Sequence, residues 1–313
     1  MKNKILGLHH ITAIAGKAQR NYNFYTNTLG LRLVKKTVNF DDPGTYHFYY
    51  GDELGSPGSI LTFFPWEGTP SGKKGTGMAT EIGYSVPEGS LEFWINRLGE
   101  MNVKHGTIDE RFGEKYLTLQ DPDGLLLNLI VPSLKDNRKA WITNEVKDDV
   151  AIKGFHSVVL EVRKLEPTAK ILTDIFGYQL LTQEGNRYRF ITDANATANI
   201  VDIVEEPNGS TGQNAAGTNH HVAFRAKDDT TMMEFREKAL TAGLNITDKI
   251  DRNYFYSLYF REPNGILFEI ASDNPGFATD EPVNELGTHL MLPPQYEAYR
   301  TRIEAWLPEL NQV

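Results

Sequence analysis

The chain of 313 residues contains no cysteine. This absence excludes disulfides, thiolate metal ligands and a cysteine nucleophile. The sequence also lacks an apolar run of about 18 residues, so it predicts no transmembrane helix. Its first residues, 1–6, lack the long apolar core of a signal peptide. We therefore expect a cytoplasmic protein.

Positive charge is comparatively scarce. The chain has 32 Lys and Arg against 41 Asp and Glu, which gives a formal net charge of −9. This balance disfavours nucleic acid and anionic membranes as partners. Hydrophobic residues make up 40% and charged residues 23%, as in soluble globular proteins, and the length favours about two domains. A homo-oligomer is compatible with this composition.

One order of features occurs four times along the chain. Each repeat begins with a short alternating strand, continues with an amphipathic helix and ends with two further strand-like runs. Glycine follows three of the helices, as a C-cap would, at Gly30, Gly177 and Gly243. The predicted first strands are 8–14, 79–86, 154–160 and 219–224, and the predicted helices are 19–29, 90–101, 166–176 and 229–242.

Two nearly identical turns precede the last strands of the second and fourth repeats. They are Asp121-Pro-Asp-Gly124 and Glu262-Pro-Asn-Gly265, and both have the composition of tight turns. The polar stretch 133–149 has little apolar periodicity and is the expected boundary between the halves. The predicted units are 5–66, 78–132, 153–205 and 217–272, followed by a C-terminal extension, 273–313, with a loop or short strand at 287–294 and a helix at 295–307.

Four βαβββ units with these turns resemble the vicinal oxygen chelate superfamily, which contains glyoxalases, extradiol dioxygenases and bleomycin-type resistance proteins. The resemblance implies an α+β fold in which units pair into two curved half-barrels around a metal or ligand. It also implies that ligands lie on the first and last strands of a unit. Those positions here are His10, Glu81, His156 and His221 on first strands, and Thr62, Asn128, Asp202 and Glu269 on last strands.

The pattern alone leaves two pairings of units open. Pairing the third unit with the fourth would gather His156, Asp202, His221 and Glu269, whereas pairing the first with the fourth would replace His156 and Asp202 by His10 and Thr62. Imidazole and carboxylate groups are natural ligands of Fe(II), Mn(II) and Zn(II). Because alternation on a strand has period two, we expect each ligand to point inward and its neighbours outward.

A closer resemblance extends through all four units. The segments that carry it are Leu8-His-His-Ile-Thr12, Asp52-Glu-Leu-Gly-Ser-Pro-Gly58, Arg111-Phe-Gly-Glu-Lys-Tyr116, Gly154-Phe-His-Ser157, Glu184-Gly-Asn-Arg187 and Asn219-His-His-Val-Ala-Phe224. They are similar to hydroquinone ring-cleaving dioxygenases, such as the 2,6-dichlorohydroquinone 1,2-dioxygenases and related Gram-positive quinone-resistance enzymes.

This closer resemblance implies that the first unit pairs with the fourth and the second with the third. It implies iron ligands at His10, His221 and Glu269, and keeps His156 as an alternative ligand for the other pairing. The residues that it places around the metal are His9, Thr12, His220, Arg252 and Tyr259.

The implied activity is Fe(II)-dependent cleavage of a hydroquinone-type or catechol-type diol by O2, in quinone and hydroquinone detoxification, with Mn(II) as an alternative metal. His220 or Tyr259 would act as acid or base, and Arg252 would hold anionic charge on the substrate. Thr12 would orient a hydroxyl or the ligand His10. Two alternatives stay open: a glyoxalase-like isomerase or thiol transferase with Zn or Ni, and a metal-free drug-binding or quinone-binding resistance protein.

Overall fold

The computed structural model describes residues 3–312. Within that range the strands are β1 Leu8–Ala15, β2 Arg32–Asn39, β3 Asp42–Gly51, β4 Ile60–Pro65, β5 Met78–Ser85, β6 His105–Arg111, β7 Glu114–Gln120, β8 Leu126–Ile130, β9 Gly154–Val162, β10 Gln179–Glu184, β11 Arg187–Ile191, β12 Ile200–Glu205, β13 Thr218–Ala226, β14 Ile250–Asp251, β15 Phe255–Arg261 and β16 Leu267–Pro275. The α-helices are α1 Ala18–Asn23, α2 Leu91–Glu100, α3 Leu165–Lys170, α4 Asp229–Thr241 and α5 Arg300–Trp306.

The strands form two curved eight-stranded sheets. One has the order β14-β15-β16-β13-β1-β4-β3-β2 and the other has the order β10-β11-β12-β9-β5-β8-β7-β6. The first unit therefore shares a sheet with the fourth, through the antiparallel pair β1 and β13, and the second shares a sheet with the third, through β5 and β9. The predicted α+β architecture of two half-barrel sheets is confirmed, and we call them the first and second half-barrel in this order.

Helices cover the sheets through their apolar faces. In α2, residues Leu91, Trp94 and Leu98 are buried in the core, as their spacing of three and four predicts. The π-helical turns Phe24–Thr28 and Ile171–Phe176 extend α1 and α3 to the predicted ends of those helices. The three glycines after the helices all have positive φ, which agrees with the predicted C-caps. No helix within residues 3–312 is long and apolar enough to cross a membrane.

In both predicted tight turns, the side-chain carboxylate of the first residue accepts a hydrogen bond from the backbone of the same turn. The N–H of Gly124 donates to the carbonyl of Asp121, and that of Gly265 donates to the carbonyl of Glu262. The carboxylates of Asp121 and Glu262 in turn accept the N–H group four residues later. Both glycines have positive φ. These turns set the start of β8 and β16, the last strands of their units.

Each unit contains one strand to which the sequence pattern assigned no residues. These strands, β2, β6, β10 and β14, lie at the four sheet edges. An edge strand lacks a neighbour on one side and carries a weak apolar alternation, and all six residues of β10 are exposed. The edge strand β2 is instead covered by the C-terminal extension, in which Asp280 and Glu281 bind the fully buried Lys35.

The end of the extension differs in detail from its predicted form. Where a single helix was expected at 295–307, a 3₁₀ segment, Pro294–Tyr299, precedes the shorter α5. The predicted loop or short strand before it makes one isolated bridge, between Leu290 and Lys36 of β2. The extension thus closes the open edge of the first half-barrel.

Candidate metal centre

Two imidazoles and one carboxylate converge inside the first half-barrel. Nε2 of His10 on β1 and Nε2 of His221 on β13 lie 3.4 Å apart. Oε2 of Glu269 on β16 lies 3.2 Å from the first and 3.0 Å from the second. All three side chains are buried. The structure therefore brings together the three residues that the sequence singled out as ligands.

The donor atoms fit one divalent metal ion. Three ligand atoms on one face of an octahedral ion, with bonds of about 2.1 Å, lie roughly 3 Å apart, which is the separation found here. Oε2 of Glu269 is buried, and neither of the imidazole nitrogens beside it is aligned to donate a hydrogen bond to it. A buried carboxylate oxygen without a partner is strongly unfavourable, and a cation bound at this point would remove that penalty.

The carboxylate is held from its other oxygen. Ser257 on β15 is fully buried, and its hydroxyl donates to Oε1 of Glu269. Burial raises the pKa of Glu269, but the neighbouring imidazoles of His10 and His221 outweigh it and hold that pKa well below the usual range. Glu269 is therefore an anion at neutral pH, as a metal ligand must be.

β-Bulges place a second histidine beside each ligand histidine. The pairing of β1 with β13 shifts register at His9 and again at His220, so each of these residues is an extra residue in its strand. A bulge re-aims a side chain that strict alternation would send to the opposite face. As a result, Nδ1 of His9 lies 2.9 Å from Nδ1 of His10, and Nδ1 of His220 lies 2.8 Å from Nδ1 of His221. His220 faces the interior of the half-barrel, so the expected outward orientation is wrong for this residue.

A cavity of about 250 Å³ opens onto the triad. His10 and His221 line it, and Thr12, His220, Arg252 and Tyr259 from the predicted set also reach it. His9 does not; it lies behind His10, with its ring 5.2 Å from that of Phe255. Aromatic rings form much of the remaining wall, from Phe40, Tyr49, Phe64, Trp66 and Phe255. The cavity suits a small aromatic molecule that presents polar groups to the triad.

The polar groups around the cavity have defined protonation states. Burial lowers the pKa of His220 to about 3, so this imidazole is neutral at pH 7. Burial raises the pKa of Tyr259 well above its usual value, so this phenol keeps its proton. Arg252 lies over the ring of Tyr259 at 5.3 Å and near Asp41 at 3.8 Å. One cation and one phenol therefore stand together at the cavity wall.

Several polar residues of the site were not predicted, among them Ser257, His47 and Tyr49. Ser257 lies two residues before Tyr259 on β15, and His47 and Tyr49 alternate on β3, so period-two alternation places each on a cavity-facing side. A sequence signal was available, because the runs 46–50 and 257–261 have the alternation of strands. Thr62, the predicted last-strand position of the first unit, lies beside the site and hydrogen bonds to Thr12 at 2.9 Å.

His156, the predicted alternative ligand, lies in the other half-barrel. On β1, His10 pairs with Ile60, the first residue of β4. At the equivalent place in the second half-barrel, Ser157 on β9 pairs with Ile200, the first residue of β12. His156 therefore occupies the bulge position, one residue out of register with His10. Its Nε2 lies 3.2 Å from Glu114 and its Nδ1 lies 3.0 Å from Ser157. The structure does not bring His156 to the triad.

Arginines fill the corresponding place in the second half-barrel. Glu81 pairs with Arg187 at 2.7 Å and accepts a hydrogen bond from Asn128 at 2.8 Å. Asp202 binds the guanidinium of Arg189 through both carboxylate oxygens. The ligand-equivalent positions Glu81, Asn128 and Asp202 are thus close together, but guanidinium groups neutralise the carboxylates of Glu81 and Asp202. This arrangement is a structural ion-pair cluster.

The sequence matches the Glyoxalase/Bleomycin resistance protein/Dioxygenase superfamily over residues 7–129 and 154–270. Each matched range covers one pair of consecutive βαβββ units. The chain therefore belongs to this superfamily, in agreement with its fold and with the position of the triad.

Three similar proteins align over nearly the whole chain. MhqO of Bacillus subtilis (strain 168), named provisionally as a ring-cleaving dioxygenase, is 47% identical over 98% of this chain and 97% of its own length. A chlorohydroquinone/hydroquinone 1,2-dioxygenase of Sphingobium indicum is 33% identical over 97% of this chain and 96% of its own length. A crystal structure described provisionally as a Bacillus subtilis dioxygenase superposes with a TM-score of 0.95 at 46% identity, over 99% of this chain and 98% of that one.

Proposed function

We propose that this protein is an Fe(II)-dependent dioxygenase that opens the ring of hydroquinone-type aromatic diols. The observation that carries the proposal is the convergence of Nε2 of His10, Nε2 of His221 and the unpartnered Oε2 of Glu269 at the floor of an aromatic cavity. Two histidines and one carboxylate on one face leave open positions, as in non-haem Fe(II) oxygenases. The names of the relatives in B. subtilis and S. indicum support the same reaction class.

His10, His221 and Glu269 would hold the iron. When bound, the iron supplies the redox chemistry that joins the diol ring to O2. The aromatic walls, Phe64 and Phe255 among them, orient the ring.

Bound iron would fix the tautomers of both histidine pairs. A histidine that binds a metal through Nε2 carries its proton on Nδ1. His10 therefore donates to Nδ1 of His9, and His221 donates to Nδ1 of His220. Because neutral His220 then accepts at Nδ1, its proton lies on its other ring nitrogen. His220 consequently serves the cavity as a hydrogen-bond donor and acid.

Three cavity groups are therefore donors: His220, the phenol of Tyr259 and the guanidinium of Arg252. Preorganised donors stabilise the negative charge that develops on oxygen during a reaction. We assign Arg252 and Tyr259 to the anionic oxygens of substrate and product. Thr12 lies two residues beyond the ligand His10 and presents a hydroxyl to the same space.

Iron analysis and oxygen uptake test this proposal. Anaerobically loaded protein should hold about one Fe per chain and consume O2 with methylhydroquinone. His10→Ala, His221→Ala and Glu269→Ala should each lose iron and turnover, whereas His156→Ala, a matched histidine variant in the second half-barrel, should keep both. Iron retention in all three triad variants would refute the site. The proposed reaction would be refuted if the purified protein contained zinc or nickel, had thiol-dependent isomerase activity and consumed no O2 with any hydroquinone or catechol.

A further inference from the structure

A chain of hydrogen bonds runs along one wall of the cavity. The hydroxyls of Thr12 and Thr62 lie 2.9 Å apart, Thr62 lies 2.9 Å from Nε2 of His47, and Nδ1 of His47 lies 2.9 Å from the hydroxyl of Tyr49. Strand register builds it, since Thr62 on β4 pairs with Thr12 on β1 and with Tyr49 on β3. Thr12, His47 and Tyr49 line the cavity, and Thr62 is fully buried between them.

The proposed function requires a proton acceptor at this place. A diol that binds the metal as an anion must lose one hydroxyl proton. Nδ1 of His220 is already paired with His221, Arg252 is a guanidinium that only donates, and Tyr259 lies against Arg252. Asp41 also reaches the cavity, but its carboxylate is 82% exposed at the opening. Of the imidazoles that line the cavity in the described chain, His47 alone lies outside the two histidine pairs.

We propose that Thr12, Thr62, His47 and Tyr49 form a proton-transfer chain that carries away the proton an aromatic diol loses on binding. The inference rests on the proposed function. The diol hydroxyl passes its proton to Oγ of Thr12, Thr12 passes its own to Thr62, and Thr62 passes its own to Nε2 of His47. His47 releases the proton on Nδ1 to the oxygen of Tyr49, whose original proton passes to water in the cavity. The diol oxygen is left as an anion.

The surroundings of His47 favour transfer over storage of the proton. Burial, together with His10 and His221, lowers the pKa of His47 well below its usual value, so an imidazolium does not accumulate there. Hydroxyl groups bind both ring nitrogens, and His47 can exchange one neutral tautomer for the other. The rings of Tyr49 and Phe64, at 4.1 and 4.3 Å, fix its orientation. Thr12 contacts the substrate, and the other members act through it.

Thr62 allows the sharpest test because it is buried and does not line the cavity. Thr62→Val removes the hydroxyl at nearly constant volume, and Thr62→Ser restores it. Thr37→Val is the matched control, since Thr37 is buried on β2 directly opposite His47 and its hydroxyl has no partner in the described chain. Each Fe(II)-loaded variant is mixed anaerobically with hydroquinone and a pH indicator in a stopped-flow instrument, with iron content and melting temperature measured in parallel.

Unmodified protein should release about one proton per iron on binding hydroquinone. In Thr62→Val, the rate of proton release should fall by about 100-fold, with iron content unchanged. This factor is the lower limit of the contribution that a general acid–base group usually makes to a rate. Thr62→Ser and Thr37→Val should remain close to the unmodified rate. Fast proton release in Thr62→Val would refute the chain while leaving the proposed function intact. Failure of the unmodified protein to bind iron or hydroquinone would refute both proposals.

Discussion

The hydrogen bond from Ser257 to Glu269 offers a quantitative test of how the metal ligand is positioned. Ser257→Ala deletes the donor to Oε1 while leaving the three proposed donor atoms in place. A hydrogen bond to a charged group contributes about 1.5–3 kcal/mol. Without it the carboxylate is free to rotate away from the two imidazoles. We therefore expect Fe(II) affinity to fall by about 10- to 100-fold, the range typical of lost partners of metal ligands.

The assay is an anaerobic Fe(II) titration of metal-free protein against a competing chelator. Ser157→Ala is the control, because Ser157 is also buried on a strand and also hydrogen bonds to a neighbour, His156, but belongs to the second half-barrel. Its Fe(II) affinity should match that of the unmodified protein. Unchanged or tighter Fe(II) binding in Ser257→Ala would show that Oε1 needs no support, and would refute the reasoning.

Two further predictions concern stability. Arg189→Met leaves the buried carboxylates of Glu114 and Asp202 without this partner. We expect the free energy of unfolding in urea to fall by about 3–5 kcal/mol, with iron content unchanged. Loss of iron without loss of stability would contradict a purely structural role. The pKa of His220 is about 3 in the folded protein and near 6.5 in the unfolded chain. Between these two values the unfolded chain binds more protons than the folded protein. The free energy of unfolding of metal-free protein should therefore fall by up to about 1.4 kcal/mol per pH unit as the pH decreases through that window. His220→Asn should reduce this slope in urea titrations at pH 5, 6 and 7, and identical slopes would exclude the assigned protonation state.

Much of the architecture follows from short-range patterns in the sequence. Within the four units, the first strands, the helices with apolar spacing of three and four, and the turns ending at Gly124 and Gly265 appear close to the predicted places. The edge strands escaped prediction because half of their surroundings are solvent or irregular chain. Lys35 on β2 shows the difficulty, since carboxylates of the distant extension make a buried lysine there favourable.

The candidate site was predictable in composition and less so in geometry. Repeat equivalence indicated His10, His221 and Glu269 among eight positions, but the pattern did not pair the units, because pairing depends on contacts between distant strands. Bulges defeated strict alternation, so the contacts of His9 and His220 with their neighbours were unexpected. The same bulge places Ser157, and not His156, at the position equivalent to His10.

The order of units along the chain has a consequence for how the protein is made. The second half-barrel is built from consecutive units, so it can fold while synthesis continues. The first half-barrel joins β1, near the start of the chain, to β13 and β16, near its end. A ribosome must therefore release the chain beyond residue 269 before His10 meets Glu269. A nascent chain that has emerged only as far as the third unit cannot assemble the triad, and so cannot bind the proposed metal ion at this place.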